Sequence, residues 1–222
     1  MKVTARFTEA IEVARVAHDE VTRKSTNIPY LAHVMSVAAL VFEAGGDEDQ
    51  AIAGLLHDVA EDAGGEAALA NIAEHFGDRV ASIVGSCSDS LVENPADKPP
   101  WGPRKVAYLQ SLADTSNDAI VVTACDKLHN ARSILADLRA IGDEVFERFN
   151  ADAGVDGVLW YYTALADALS ARLEQLDDAA HQLASELRYT VQQMVADVAS
   201  RHPDIESRIA VRASQLESNN DR

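Results

Sequence analysis

Apolar residues recur at helical spacing along most of the chain. Near the N-terminus, residues 7–22 are predicted to form a helix, because Phe7, Ile11 and Ala14 are three or four positions apart, which is the period of an amphipathic helix. Pro29 begins a strongly apolar segment that ends at the Gly45-Gly46 pair, as is typical of a helix with proline in its first turn. No alternating apolar and polar run is long enough to predict a β-sheet. The pattern predicts an all-α fold of roughly eight to ten helices.

The remaining predicted helices divide the chain into a main body and a tail. Their bounds are 48–62, 66–75, 79–84, 104–113, 117–138, 143–148, 154–175 and 178–200. Residues 85–103 form a long proline-rich segment, and loops of this length are often functional. The sequence after 176 reads as an amphipathic helix, a break at His202-Pro203 and a polar end. We therefore expect one domain over 1–176 and a helical extension with a disordered end over 177–222.

Length and composition indicate a cytoplasmic protein without membrane segments. The chain has 222 residues, enough for one domain with a full hydrophobic core. It contains no stretch of about 18 apolar residues that could span a bilayer, and its start lacks the apolar region of a secretory signal. Cys87 and Cys125 form no disulfide framework. The C-terminal segment would suit a homo-oligomer or a partner-binding role.

The net charge of the chain argues against DNA or RNA polymers as partners. The chain carries 19 basic and 36 acidic residues, a net charge of −17. Binding to long DNA or RNA rests on many basic contacts, so we expect no nucleic-acid polymer as a partner. A small phosphorylated ligand remains compatible with this charge, and any local cluster of basic residues becomes more informative.

Four polar residues interrupt strongly apolar helices. His57 and Asp58 lie within "AIAGLLHDVA", His33 lies within "PYLAHVMSVAALV" and Asp126 lies within "VVTACDKLHNARS". A buried carboxylate needs a partner or a cation, because its desolvation is costly. Taken alone, His57 also fits a hydrogen-bonded core histidine and Asp58 a solvated acid. Two imidazoles and two carboxylates together make a mixed nitrogen and oxygen site suited to Mn²⁺, Fe²⁺, Zn²⁺ or Mg²⁺.

The order of these residues resembles that of the HD phosphohydrolase superfamily. Within it, "RKSTNIPYLAHVMSVA", "LLHDVAED" and "CDKLHNARS" resemble three motifs of the RelA/SpoT alarmone hydrolases. The resemblance covers roughly residues 5–175 and is closest to the small stand-alone hydrolases. It implies an HD-domain helical fold and hydrolysis of ppGpp or pppGpp to GDP or GTP plus pyrophosphate.

By this resemblance, His33, His57, Asp58 and Asp126 are metal ligands, and Mn²⁺ is the usual ion. Glu61 and Asp62 match the pair of acids that handles the attacking water. Glu61 follows His57 by four positions, which would place it on the same face of a continuous helix. A polar helix end before Gly64 is the alternative explanation for the two acids.

The resemblance also implies a set of substrate contacts. These are Arg23, Lys24, Ser25, Tyr30, Lys105, Asn130 and Ser133. Asn130 follows Asp126 by four positions and would share its helix face. The Arg23-Lys24 pair is also explained by compensation of a helix dipole at a C-terminus.

The sequence departs from the family pattern where the nucleotide is recognised. The family has a glycine directly after its Arg-Lys-Ser motif, whereas "STN" follows Arg23-Lys24 in this chain. Lys127 stands at a position where the family frequently has arginine. The metal and catalytic sets are intact, so an enzyme is favoured over a nucleotide-binding regulator without activity. Another HD-superfamily nucleotide phosphohydrolase, such as a deoxynucleotide 5′-phosphatase or an adenosine-alarmone hydrolase, is the alternative function.

Overall fold

The described part of the chain is helical. The computed structural model describes residues 2–92, 97–149 and 152–220, except for the side chains of residues 62, 63, 217, 219 and 220. Its helices are α1 (Ala5–Ala17), α2 (Tyr30–Glu43), α3 (Glu48–Leu56), α4 (Val59–Ala63), α5 (Gly65–Phe76), α6 (Asp78–Cys87), α7 (Trp101–Ser111), α8 (Asn117–Ile141), α9 (Gly154–Leu173), α10 (Asp178–Ala199) and α11 (Ile205–Asn220). Gly142–Arg148 form a 3₁₀ helix. These residues contain no β-strand, so the all-α prediction is confirmed. None of the described helices is long and apolar enough to cross a bilayer.

Side-chain caps fix the starts of several helices. The Asp47 carboxylate accepts from the Gln50 backbone at 3.0 Å, and the Gln50 side chain accepts from the Asp47 backbone at 2.9 Å, which completes a capping box for α3. Ser116 caps α8, and Asp177 caps α10. These caps satisfy backbone N–H groups that have no partner inside the helix.

Helix α8 is the centre of the fold. It packs against α2, α3, α6, α9 and α10, so helices cover most of its circumference. Several of its apolar side chains, among them Ile120 and Leu128, are fully buried. A polar residue on a packed face of α8 is therefore withdrawn from water, and Asp126 is 3% exposed.

The prediction of one helix over 48–62 is wrong. Helix α3 ends at Leu56 and α4 begins at Val59, which leaves His57 and Asp58 in the turn between them. Adjacent residues of a continuous helix point about 100° apart. The break allows both side chains to approach the same point.

Several other helix ends differ from the predicted bounds, including the end of α1 and the start of α7. Helix α1 ends at Ala17 rather than at residue 22, because the chain turns at Glu20, whose φ is +59°. Helix α7 begins at Trp101, three residues earlier than predicted, after a Pro100 with a φ of −52° that is compatible with the start of a helix.

The C-terminal segment packs against the main body. Helix α10 lies along α8 and α9, and α11 contacts α7 and α9. Ile205 and Leu216 of α11 are buried. Helix α11 continues to Asn220, and residues 221–222 lie outside the described part of the chain. The domain boundary at 176 and the disordered end stay predictions.

Gly54 allows α3 to lie close to α2, and this contact should be sensitive to a larger side chain. A Cβ at Gly54 would lie 3.4 Å from the Cα and the backbone nitrogen of Ala38. Gly54→Val would push two methyl groups towards that backbone and should lower the free energy of unfolding by about 1–3 kcal/mol. Urea denaturation would measure the change. Ala67→Val, on the exposed surface of α5, is the control and should change stability by at most about 0.5 kcal/mol. Equal stability of the two variants would contradict close packing at Gly54.

Candidate functional site

The four residues predicted as metal ligands lie together. His33 comes from α2, His57 and Asp58 from the turn between α3 and α4, and Asp126 from α8. His33 Nε2 lies 3.2 Å from Asp126 Oδ1 and 3.8 Å from Asp58 Oδ2. His57 Nε2 lies 2.9 Å from Asp58 Oδ2 and 3.5 Å from Asp126 Oδ1. His33, His57 and Asp58 each offer a ligand atom, and these atoms are within 4.8 Å of one another.

The buried histidine nitrogens test whether this cluster fits a metal ion. Within the described residues, the Nε2 atoms of His33 and His57 are buried and have no hydrogen-bond partner, although both face carboxylate oxygens. Buried polar atoms without a partner are rare because they lose their bonds to water. A divalent cation between the nitrogens and oxygens would satisfy all of them. The donor set therefore fits a divalent metal ion bound by nitrogen and oxygen.

The tautomer of His57 suits binding to a metal ion through Nε2. Its Nδ1 lies 2.9 Å from the Gly54 carbonyl oxygen, which can only accept a hydrogen bond. Nδ1 of His57 therefore carries the hydrogen and donates it. Without an ion, Asp58 and Asp126 outweigh burial and raise the pKa of His57 well above its ordinary value. In the neutral ring that a metal ion requires, Nε2 would present a lone pair towards these carboxylates, as in many metal-ligating histidines.

His33 is oriented in the same way through His129. The Arg23 guanidinium lies 3.1 Å from His129 Nδ1, and arginine can only donate, so this nitrogen is an acceptor. His33 Nδ1 lies 2.8 Å from the same atom and must therefore carry a hydrogen, which leaves its Nε2 with a lone pair. Burial, together with His33 and Arg23, lowers the pKa of His129 to about 4. His129 is thus neutral near pH 7 and remains an acceptor.

Asp126 is held as a carboxylate in spite of its burial. Asn130 Nδ2 donates to Oδ1 at 2.6 Å, and Lys127 Nζ lies 2.7 Å from Oδ2. Burial alone would raise the pKa of Asp126, but Lys127 and His57 hold it well below its ordinary value. The sequence singled out Lys127 only as a departure from arginine. Its ion pair with Asp126 was not foreseen.

Asp58 forms the accessible side of the cluster. Its side chain is 23% exposed, whereas His33, His57 and Asp126 expose 5% or less. The Tyr30 hydroxyl donates to Asp58 Oδ2, and the Tyr30 ring packs 4.8 Å from the ring of His18. Tyr30 therefore supports the carboxylate of a predicted metal ligand.

A cavity of about 840 Å³ lies beside the cluster. Seven of the chain's 19 lysines and arginines line it, in a protein with a net charge of −17. They are Arg23, Lys24, Lys98, Arg104, Lys105, Lys127 and Arg148. The volume is in the usual range for a small-molecule site. The concentration of positive charge indicates an anionic ligand.

Most of the predicted substrate contacts line this cavity. Arg23 donates to Asn130 Oδ1 at 3.1 Å, and Ser133 donates to the His129 carbonyl at 3.0 Å. Ser25 does not line the cavity. It is exposed at the tip of the loop before α2, with a φ of +57°.

Lys105 lies in a basic group that the sequence did not reveal. The side chains of Arg104 and Lys105 both form ion pairs with Asp89 Oδ2, and the Lys105 ammonium lies 4.6 Å above the centre of the Tyr161 ring. Asp89 is nearly buried, and the charges of Lys105 and Arg104 outweigh burial and lower its pKa. No motif in the sequence marked Asp89, because its partners come from a different element of the fold.

The two predicted catalytic acids lie on α4. Glu61 lines the cavity and forms an ion pair with Lys98, Oε1 to Nζ at 2.7 Å. The prediction that Glu61 shares a helix face with His57 assumed one continuous helix. The break between α3 and α4 interrupts that helix. The side chain of Asp62 lies outside the described residues. The catalytic roles of both acids stay predictions.

Comparisons with known proteins agree with this geometry. Residues 10–159 match the family model described as HD domain. The chain is 33% identical over 133 residues to the Xenopus tropicalis guanosine-3′,5′-bis(diphosphate) 3′-pyrophosphohydrolase MESH1, an alignment covering 59% of this chain and 70% of that protein. It is 34% identical over 119 residues to a probable guanosine-3′,5′-bis(diphosphate) 3′-pyrophosphohydrolase from Synechocystis, covering 50% of this chain but only 14% of that longer protein.

A solved structure shares the fold. It is described as a metazoan orthologue of SpoT that hydrolyses ppGpp, and it matches with a TM-score of 0.63 and 23% identity. The match covers 84% of this chain and 96% of that one. At this identity the likeness concerns the fold.

The orientation of His33 by His129 leads to a prediction for metal binding. His129→Phe keeps an aromatic ring but removes the acceptor for His33 Nδ1, so the affinity for Mn²⁺ should fall about 10- to 100-fold. Asp126→Ala, which removes a predicted ligand, should abolish binding of the ion. Isothermal titration would measure both. His75→Phe, at an exposed histidine, is the matched control. Unchanged affinity in His129→Phe would contradict the orienting role.

Proposed function

Because the chain belongs to the HD domain family, we propose that it is a metal-dependent (p)ppGpp 3′-pyrophosphohydrolase. The reaction would convert ppGpp to GDP, or pppGpp to GTP, with release of pyrophosphate. The observation that carries this proposal is the buried His and Asp cluster beside a nucleotide-sized cavity lined by seven cationic side chains. The names of the Xenopus and Synechocystis relatives support the same substrate.

The proposed ion is Mn²⁺, held by His33, His57, Asp58 and Asp126. The mixed nitrogen and oxygen donors support this choice, and Fe²⁺, Zn²⁺ or Mg²⁺ are the alternatives that metal analysis would distinguish. A divalent ion bound there would act as a Lewis acid towards the phosphoryl group and lower the pKa of water.

The basic residues of the cavity would bind the phosphates. Arg23 is held by His129 and Asn130, so its guanidinium is fixed at the edge of the cluster. Asn130 is bonded to both Asp126 and Arg23, which places an amide between the proposed metal site and the proposed phosphate site. Lys24 and Lys105 would offset charge further along the pyrophosphate. Fixed charges of this kind stabilise the charge that develops in phosphoryl transfer.

Glu61 and Asp62 would handle the protons of the reaction. The oxygen of a water molecule forms a bond to the phosphorus attached to O3′, and the bond from that phosphorus to O3′ breaks. Pyrophosphate leaves, and O3′ takes a proton. A carboxylate beside the cavity is suited to orienting the water and accepting its proton.

The products decide between this function and the alternatives. The purified chain with Mn²⁺ should convert ppGpp to GDP and pyrophosphate, without release of single phosphate. Anion-exchange chromatography against a panel of ppGpp, ppApp and deoxynucleoside monophosphates would show this. If ppGpp is untouched while deoxynucleoside monophosphates lose their 5′-phosphate, the function is that of a general nucleotidase. Cleavage of ppApp alone would point to an adenosine-alarmone hydrolase.

Replacement of Glu61 should separate turnover from binding. Glu61→Gln keeps the size of the side chain but removes its charge, so kcat should fall about 10²- to 10⁴-fold. Binding of Mn²⁺ should persist because Glu61 is not a proposed ligand. Steady-state kinetics and metal titration on the same preparation would measure the two effects. Loss of Mn²⁺ from the variant would instead identify Glu61 as a ligand.

A further inference from the structure

We propose that Lys98 is a positioning residue that holds the Glu61 carboxylate for proton transfer. The inference rests on the proposed function and adds a residue that neither the sequence motifs nor the resemblance marked. Lys98 lies in the segment between α6 and α7, far from Glu61 along the chain, and both side chains line the same cavity.

The contact between the two residues is direct. Lys98 Nζ lies 2.7 Å from Glu61 Oε1, with the side chains 29% and 23% exposed. Within the described residues, no other side chain forms a hydrogen bond or an ion pair with the Glu61 carboxylate. Because the pair is partly withdrawn from water, it is stronger than an ion pair on the open surface. The contact occupies Oε1, and Oε2 remains available for a water molecule.

Glu61 needs an external restraint because its own helix is short. Helix α4 has five residues, and Gly64, with a φ of +141°, follows it. A single helical turn is weakly stable on its own, since nucleation fixes several dihedral angles for one hydrogen bond. The glutamate side chain adds rotatable bonds of its own. Lys98 restricts where this carboxylate can lie.

The two prolines after Lys98 restrict its backbone. Pro99 and Pro100 limit their own φ angles, and Pro99 disfavours a helical backbone at Lys98. Pro100 leads directly into α7, whose first residue, Trp101, is nearly buried. The Trp101 ring packs 6.1 Å from that of Trp160. The backbone of Lys98 is therefore tied to the core.

Its partner distinguishes Lys98 from the other cations of the cavity. Arg104 and Lys105 share Asp89, and Lys127 is paired with the proposed ligand Asp126. Lys98 alone among these four is paired with a proposed proton-handling acid. Removal of its charge should therefore reduce turnover rather than substrate binding.

The test compares three replacements of lysine in the full chain with Mn²⁺. Lys98→Met keeps most of the aliphatic stem and should lower kcat for ppGpp about ten- to a hundredfold, the usual effect of losing one charged hydrogen bond. KM should stay within about threefold. Lys98→Arg should recover most of the lost turnover, because it restores a cationic donor. Lys2→Met, at an exposed lysine, is the matched control and should leave both parameters unchanged.

A double-mutant cycle separates positioning from a structural role. In the Glu61→Gln background, Lys98→Met should cause almost no further loss of kcat, because its target carboxylate is gone. An equal loss in both backgrounds would overturn the inference, and so would a raised KM with unchanged kcat, which would make Lys98 a phosphate contact. If the wild-type chain releases pyrophosphate and the cycle is additive, only the role of Lys98 fails. If the wild-type chain releases none, the proposed function and this inference fail together.

Discussion

The buried carboxylate of Asp126 constrains the structure around it. A carboxylate in the middle of the central helix loses its hydration, at a cost of several kcal/mol unless other groups replace the water. Here Lys127, Asn130 and two imidazoles do so, and each comes from a position that the fold must hold within a few ångströms. The packing of α2 and of the turn between α3 and α4 against α8 is therefore a condition of the site as well as a source of stability.

Helices with a regular apolar pattern could be predicted from the sequence. The bounds of α10 and the start of α8 agree with the structure to within one residue, because their caps and apolar spacing are local signals. The break at His57-Asp58 could not be predicted, since the residues around it have good helical spacing. Convergence of the two side chains on Asp126 is a tertiary effect, and tertiary effects override local preference.

Part of the candidate site, like part of the fold, could be predicted from the sequence. His33 and Asp126 could be found because each is a polar exception in an apolar helix, and the resemblance to a known family placed them in one site. Ion pairs between side chains on distant elements could not be predicted from the sequence. The contacts of Lys98 with Glu61 and of Lys105 with Asp89 depend on tertiary packing around the cavity, and no spacing in the sequence records that packing.

The uneven exposure of the four proposed ligands has a consequence for the sequence of binding events. His33 and Asp126 are almost fully buried but line the cavity together with Asp58, which is the most exposed of the four, whereas His57 does not line it. A cation and a nucleotide must then enter through the same opening. If the proposed ion binds there, it would have to load before the nucleotide, and a nucleotide seated in the cavity would block its escape. A chelator should then strip the free protein quickly and the nucleotide-bound protein slowly, and the nucleotide would act as a kinetic trap for the proposed ion.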